Sequence, residues 1–229
     1  SNSGTTATSN TQKQDDVMFS VVGQPAVRDY NADGLTAAIW FADLGGQIFR
    51  VDLNNATQVA SNAAANLAVR TQTIAKLANS TFTPRFYERP STAVFKEGQE
   101  RFVLVTVGSG NRSYPLIKEP ATNKIYGVLD WDAAKTGLEN TTFTPSSVVT
   151  PTDLVGAVLG KGQSTAISSS NGELIRDKTK RGWYFELKTS ADSDKEGFVK
   201  TMEEMQLIKS DSYASIYDPE AVLGGTTKN

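Results

Sequence analysis

Asp29-Tyr30-Asn31-Ala32-Asp33-Gly34 sets an oxygen-bearing side chain at every second position and closes on a glycine. That spacing matches the first half of a calcium loop. Alternate residues of a tight turn can aim at one centre, hard oxygen donors suit the ion, and the glycine permits the sharp reversal. The donors on offer are the side chains of Asp29, Asn31 and Asp33, with the backbone carbonyl of Leu35 as a fourth. Calcium takes about 6 to 8 oxygens, and position 40, where an EF-hand would place its bidentate glutamate, is Trp40. Water or a distant acid such as Asp43 would have to complete the shell, and Arg28 next door adds repulsion. The same residues equally build Asx turns and an Asp-Gly hairpin turn without any ion.

Other stretches offer weaker chemistry. Asp192-Ser193-Asp194-Lys195-Glu196-Gly197 also alternates acids, but its lysine favours a solvated loop that caps a short helix over 198–205. Gly108-Ser109-Gly110 resembles an exposed nucleophile between glycines. With no histidine in the chain to activate it, a turn at the end of a buried strand is the expectation. Asp130-Trp131-Asp132 and the rings of Tyr87, Tyr114 and Tyr126 could frame a ligand cleft, although such residues usually pack.

Composition narrows the classes. The chain has 229 residues, 38% hydrophobic and 21% charged, which suits a globular protein with a real core. The net charge of −2 and the lack of a basic stripe argue against nucleic acid as a partner. Having no cysteine removes disulfides, thiolate nucleophiles and Cys-type metal sites, and having no histidine removes Ser-His-Asp triads and His-ligated metals. No apolar run approaches the ~20 residues of a membrane helix and no signal segment opens the chain, so the protein is either cytosolic or an excised piece. Residues 1–16 read as a flexible polar leader and 17–229 as the folded part.

The elements that must carry these residues are mostly strands. Short β-favouring runs bounded by Gly, Pro and Asn occur at 17–22, 35–42, 46–53, 91–95, 101–108, 125–131, 165–170, 181–188 and 214–223. Gly45-Gly46 and Glu97-Gly98-Gln99 suit tight hairpins. Residues 55–79 are Ala-rich with apolar residues near helical spacing, which predicts a small helical insertion. Three strands end alike: Ile48-Phe49-Arg50-Val51-Asp52-Leu53, Ile125-Tyr126-Gly127-Val128-Leu129-Asp130-Trp131 and Trp183-Tyr184-Phe185-Glu186-Leu187. Each runs from an aromatic through apolar residues to an acid and a large apolar residue. The acid is expected to accept backbone amides where one sheet turns to the next. The pattern reads as a degenerate propeller-blade repeat of roughly three units, fewer than the ~4 to 8 of a closed ring. The predicted fold is therefore an all-β propeller with several blades and an incomplete ring.

With these residues laid out, the chain resembles the C-terminal propeller of the PilC/PilY family of type IV pilus tip proteins. The resemblance rests on the acidic loop feeding Ala42-Asp43-Leu44-Gly45-Gly46-Gln47, on Arg85-Phe86-Tyr87-Glu88-Arg89-Pro90, and on Gly108-Ser109-Gly110-Asn111-Arg112-Ser113 with Pro115-Leu116. It continues through Ile125 to Asp130 and Gly182 to Leu187, together covering residues 17 to about 188. It implies a quinoprotein-like propeller, exported to the cell surface and pilus tip in association with the outer membrane. Its signal peptide and N-terminal adhesive region would lie outside this sequence. The role implied is non-enzymatic: pilus biogenesis, extension–retraction balance, adhesion, twitching motility and DNA uptake. Minor pilins and a host or surface ligand are the implied partners. In that family a propeller calcium site modulates the balance, and its loop pattern places a last aspartate where this chain has Ala37. The competing class is a quinone-cofactor dehydrogenase propeller, which would need a closed ring around the cofactor.

Overall fold

The computed structural model describes residues 17–29, 34–54, 68–160, 163–164, 169–188, 199–208 and 211–217. They form two large sheets and two short ribbons. The first sheet is an antiparallel meander of β1 (Ala26–Arg28), β2 (Ala38–Ala42), β3 (Gln47–Leu53) and β4 (Ala68–Lys76), in that spatial order. The second contains β5 (Ser91–Glu97), β6 (Glu100–Gly108), β7 (Lys124–Asp130), β8 (Val155–Gly160), β9 (Gln163–Ser164) and β10 (Gly182–Lys188), ordered β5-β6-β7-β10-β8-β9. Strand β10 runs antiparallel to β7 and parallel to β8. Adjacent parallel strands need a crossover connection, and helix α1 (Ser169–Arg176) lies on the path from β8 to β10. The ribbons pair β11 (Lys200–Thr201) with β14 (Ile216–Tyr217), and β12 (Gln206–Ile208) with β13 (Asp211–Tyr213).

Alternation along the strands sets the core between the sheets. On β2, Ala38, Trp40 and Ala42 are buried and stand opposite Asp52, Arg50 and Ile48 of β3. Val103, Val105 and Val107 of β6 and Tyr126 and Val128 of β7 join them in one cluster, with Phe86 closing an edge-to-face contact on Tyr126 at 5.8 Å. On the outer face of the first sheet, Phe41 stacks on Phe49 at 4.9 Å. A second cluster forms on the far face of the second sheet, where Ile125 and Leu187 meet Val199 and Met205 from the C-terminal segment.

Charge lies inside the core. Arg50 is fully buried and projects between two carboxylates, Asp52 on its own strand (Nε to Oδ1, 2.5 Å) and Asp130 on β7 (Nη1 to Oδ1). Trp40 Nε1 donates to the second Asp130 oxygen at 3.1 Å, and Arg70 of β4 pairs with Asp52 at 2.8 Å. Burial would push the guanidinium down, but Asp130 and Asp52 hold it above its ordinary range. The Asp52 carboxyl, pushed up by burial, is pulled back only in part by Arg50 and Arg70. Asp52 and Asp130 thus bond chiefly to arginine, where backbone amides were expected, and the third repeat acid, Glu186, pairs with Lys124 at 3.3 Å. Among the described residues Asp130 accepts one backbone amide, from Ala133 at 3.3 Å.

Several sequence expectations change. The helical insertion over 55–79 is a strand across Ala68–Lys76, while 55–67 lies outside the described residues. The β-branched Thr71 and Thr73 pair with Val51 and Phe49 of β3, Val69 and Ile74 fall at irregularities of the register, and that ladder outweighs alanine's helix preference. The roughly three blade-like units become two sheets, because the second and third repeat strands, β7 and β10, are neighbours in one sheet. Among the described residues no sheet closes into a ring. Residues 17–22 form no strand. The Phe19 ring covers Gly45, and the Ser20 carbonyl accepts from Leu44 N–H at 3.0 Å, so this segment crosses the β2–β3 turn. In place of a helix over 198–205, Lys200 and Thr201 pair with β14. The strand expected over 165–170 ends in the first residues of α1, with 165–168 outside the described residues. Both expected hairpins are present, the second with Gly98 at φ 59°, a conformation that favours glycine.

Removing one member of a buried ion cluster strands the others. Arg50→Met should lower unfolding free energy by about 3–5 kcal/mol in urea denaturation. Arg101→Gln, on an exposed part of β6, should stay within about 0.5 kcal/mol. Equal losses would show that the cluster contributes nothing special.

Candidate functional site

The acidic loop leads into the β2–β3 hairpin at one edge of the first sheet. Asp29 is exposed and its Oδ2 accepts from Gly34 N–H at 2.8 Å, with Gly34 at φ 85°. Asn31 and Asp33 lie outside the described residues. Ala37 is 6% exposed, donates its N–H to the Arg28 carbonyl at 2.9 Å and accepts from Leu53 at 3.1 Å. This position therefore belongs to the sheet and supplies no side-chain oxygen. Arg28 turns away from the loop, its Nε donating to Thr92 Oγ1 at 2.8 Å and its Nη2 to the Thr92 carbonyl, which ties β1 to β5.

Asp43 cannot complete a shell here. It sits at the opposite end of β2, five residues away at ~3.4 Å each, or about 17 Å. There it is fully buried and holds the β2–β3 turn, accepting Gly45 N–H and Gln47 N–H at 2.9 Å and Gln47 Nε2 at 3.0 Å. Burial raises its carboxyl above the ordinary range despite those bonds. Asp29 and Leu35, the loop donors described, do not amount to a calcium shell. Among the described residues no three acids gather closely enough to hold a metal.

Ser109 is fully buried at the end of β6. Its hydroxyl meets Asn123 Oδ1 at 3.2 Å and the Lys124 carbonyl at 3.1 Å, and accepts Lys124 N–H at 2.9 Å. The flanking glycines exist because the C-terminal segment crosses them: a Cβ on Gly108 would fall 2.3 Å from Thr201 Cγ2, and one on Gly110 would fall 2.6 Å from Lys200 Cβ. Lys200 is itself fully buried, its Nζ donating to the Ile117 carbonyl at 3.0 Å and lying 3.7 Å from Glu119. Burial lowers its ammonium pKa, with Glu119 opposing. The three tyrosines do not share a cleft. Tyr126 is core, Tyr114 is exposed, and the Tyr87 hydroxyl donates to Asn111 Oδ1 at 3.2 Å. The Asp192–Gly197 stretch lies outside the described residues.

Asp130-Trp131-Asp132 divides its labour. Asp130 enters the core cluster, while Trp131, just beyond the end of β7, lines a cavity of about 640 Å³. The wall is drawn from distant segments: Gln99, Glu100 and Arg101 at the β5–β6 turn, Ala134 and Lys135, Ser146 and Ser147, and Lys178 with Arg181 after α1. Phe102 packs on the indole with ring centroids 4.6 Å apart, and Lys178 Nζ lies 4.6 Å from the indole centroid. Asp132 braces the wall from behind, accepting Lys135 Nζ at 2.7 Å, Ser146 Oγ at 2.8 Å and Ser146 N–H at 2.6 Å. Burial pushes Asp132 up, but those bonds together hold its carboxyl below the ordinary range. Sequence reading singled out Trp131 here and missed the cations. They come from three separate stretches with no shared motif.

A carboxyl whose folded pKa is lowered stabilises fully above its unfolded value and loses that contribution as pH falls through the folded one. The Asp132 bonds should therefore hold above about pH 3.9 and fail below it. Thermal midpoints followed downward from there should fall more steeply in the parent chain than in Asp132→Asn. Parallel curves would mean that Asp132 braces nothing.

No protein-family model matches the chain, and no curated protein matches its sequence. Its fold does have a counterpart in the crystal structure of the Pseudomonas aeruginosa PilY1 C-terminal domain, with a TM-score of 0.60 at 16% identity. The match covers 86% of this chain and 44% of that one, so the chain spans less than half that structure's length. At the level of the fold, this chain is similar to the PilY1 C-terminal domain.

Proposed function

We propose that this chain is part of a non-enzymatic, surface-exposed module of a type IV pilus-associated protein, serving pilus biogenesis and attachment. The observation that carries the reading is the fold shared with the PilY1 C-terminal domain over 86% of the chain. It agrees with the ordered set of motifs along the sequence. The meander β1-β2-β3-β4 has the strand number of a propeller blade, the antiparallel run β5-β6-β7-β10 supplies four strands of the six-stranded second sheet, and residues outside this chain would close the ring. Minor pilins at the tip and a host or surface ligand are the proposed partners. No described helix is long and apolar enough to cross a membrane, which is compatible with export of the module.

The Asp29 loop is read as a weakened calcium site whose lasting role is to launch the β2–β3 hairpin. Calorimetric titration of the chain with calcium should show no binding tighter than about 1 µM, a value inside the range of sensor-type affinity. A sub-micromolar site lost in Asp29→Ala would reverse that reading.

Deletion of the full-length parent gene should remove surface pili and reduce attachment. Arg50→Met in the parent should reproduce the defect by unfolding the module. Normal piliation together with normal attachment in the deletion strain would refute the proposed role.

A further inference from the structure

The cavity over Trp131 carries charge opposite to the chain's. Four cations, Arg101, Lys135, Lys178 and Arg181, share its wall with one acid, Glu100, in a protein of net charge −2. Three of the four are engaged: Lys178 with Glu100 at 2.6 Å, Lys135 with Asp132, and Arg181 with the Ser147 carbonyl. Arg101 makes no side-chain ion pair or hydrogen bond among the described residues and stands exposed at the rim. Beside it, Trp131 is only 7% exposed, and its indole N–H is buried with no acceptor among the described residues.

The backbone adds an independent sign. Lys178 is the one described non-glycine residue with positive φ, at 66°. It follows the last turn of α1, where Asp177 N–H bonds to the Glu173 carbonyl and Lys180 N–H to that of Leu174. Helices that end this way usually place glycine at the left-handed position. Here a lysine takes the strained conformation, and its ammonium lies over the indole. Strain of this kind marks positions held for a purpose other than local stability.

We propose that this cavity binds an acidic sugar-sized molecule, its carboxylate held by Arg101. An arginine fork is a pure donor and needs an acceptor, which a carboxylate supplies. A bare inorganic ion would leave most of about 640 Å³ unfilled, a volume that suits a small organic ligand. The remaining wall presents the Gln99 amide and the Ser146 and Ser147 hydroxyls, which match a polyol. Phe102 and Lys178 cover the indole and its N–H is buried, so the ring serves as a wall of the cavity and not as a stacking face. The assignment stands on the cavity itself and does not depend on a pilus role.

The test uses the whole chain labelled with nitrogen-15, following the Trp131 indole resonance, assigned by its disappearance in Trp131→Phe. Glucuronate should shift it saturably, inorganic sulfate should shift it more weakly, and glucose should leave it in place at equal concentration. Arg101→Gln should weaken glucuronate about tenfold, the loss of a charge-assisted bond. Lys178→Gly should weaken it as well while the melting temperature holds or rises, which a purely structural lysine would not do. The proposal is overturned if glucuronate does not saturate by about 10 mM, if glucose binds equally well, or if both variants keep the parent affinity. Sulfate binding as tightly as glucuronate would overturn the sugar-sized assignment.

Discussion

The buried pairing of Arg50 with Asp52 and Asp130 is the constraint on which the two sheets depend. Arg50 and Asp52 belong to the first sheet and Asp130 to the second, so one guanidinium fixes the position of one sheet on the other. Such clusters add little net stability over a well-packed apolar core, because desolvation offsets most of the attraction. Their consequence is geometric. A strand that slipped its pairing register by one residue would turn its charge to the wrong face and leave the partners unpaired. The surrounding core of Trp40, Ile48, Val105 and Val128 supplies the non-directional burial, and the ions set the register in which it occurs.

The packing on the second sheet follows from close approach. Trp183 lies across Gly127 and Tyr184 across Gly156, the strands on either side of β10 each yielding a side chain to an aromatic ring. A Cβ on Gly127 would stand 2.4 Å from the indole. The same logic explains Gly108 and Gly110, whose missing side chains admit Thr201 and Lys200. What looks like a serine motif in the sequence is therefore the bed on which the C-terminal segment lies. A site and a packing groove can present the same residues, and only the neighbour that fills the space tells them apart.

Function collects where the packing is incomplete. The Arg50 cluster and Ser109 are satisfied, whereas the cavity at the end of β7 keeps an arginine with no side-chain partner among the described residues beside a strained lysine. The fold shared with the PilY1 C-terminal domain gives the scaffold a counterpart. It does not by itself assign chemistry to that cavity, since function resides in sites and not in folds.

The strands were largely legible because period-2 alternation and turn glycines are local signals. The β2–β3 hairpin, the β5–β6 hairpin and the runs at 125–130 and 182–187 stand where those signals place them. The acids Asp52 and Asp130 also drew notice through their repeated position. Their partner did not, because nothing near Arg50 in sequence shows that Asp130, 80 residues on, lies against it. Strand β4 escaped for a related reason: alanine's local preference for helix yields to a ladder with β3 that exists only once the sheet forms. Helix α1 was missed because Gly172 and a run of serines weaken its local signal, while pairs from Arg176 to Glu97 and Lys178 to Glu100 tie that end of the chain to the β5–β6 hairpin. The sequence by itself determined an all-β chain without histidine or cysteine chemistry, because alternation and composition are readable one segment at a time. Only the tertiary structure decided which charges are buried together and which surround an open cavity, because those contacts join residues that the chain keeps far apart.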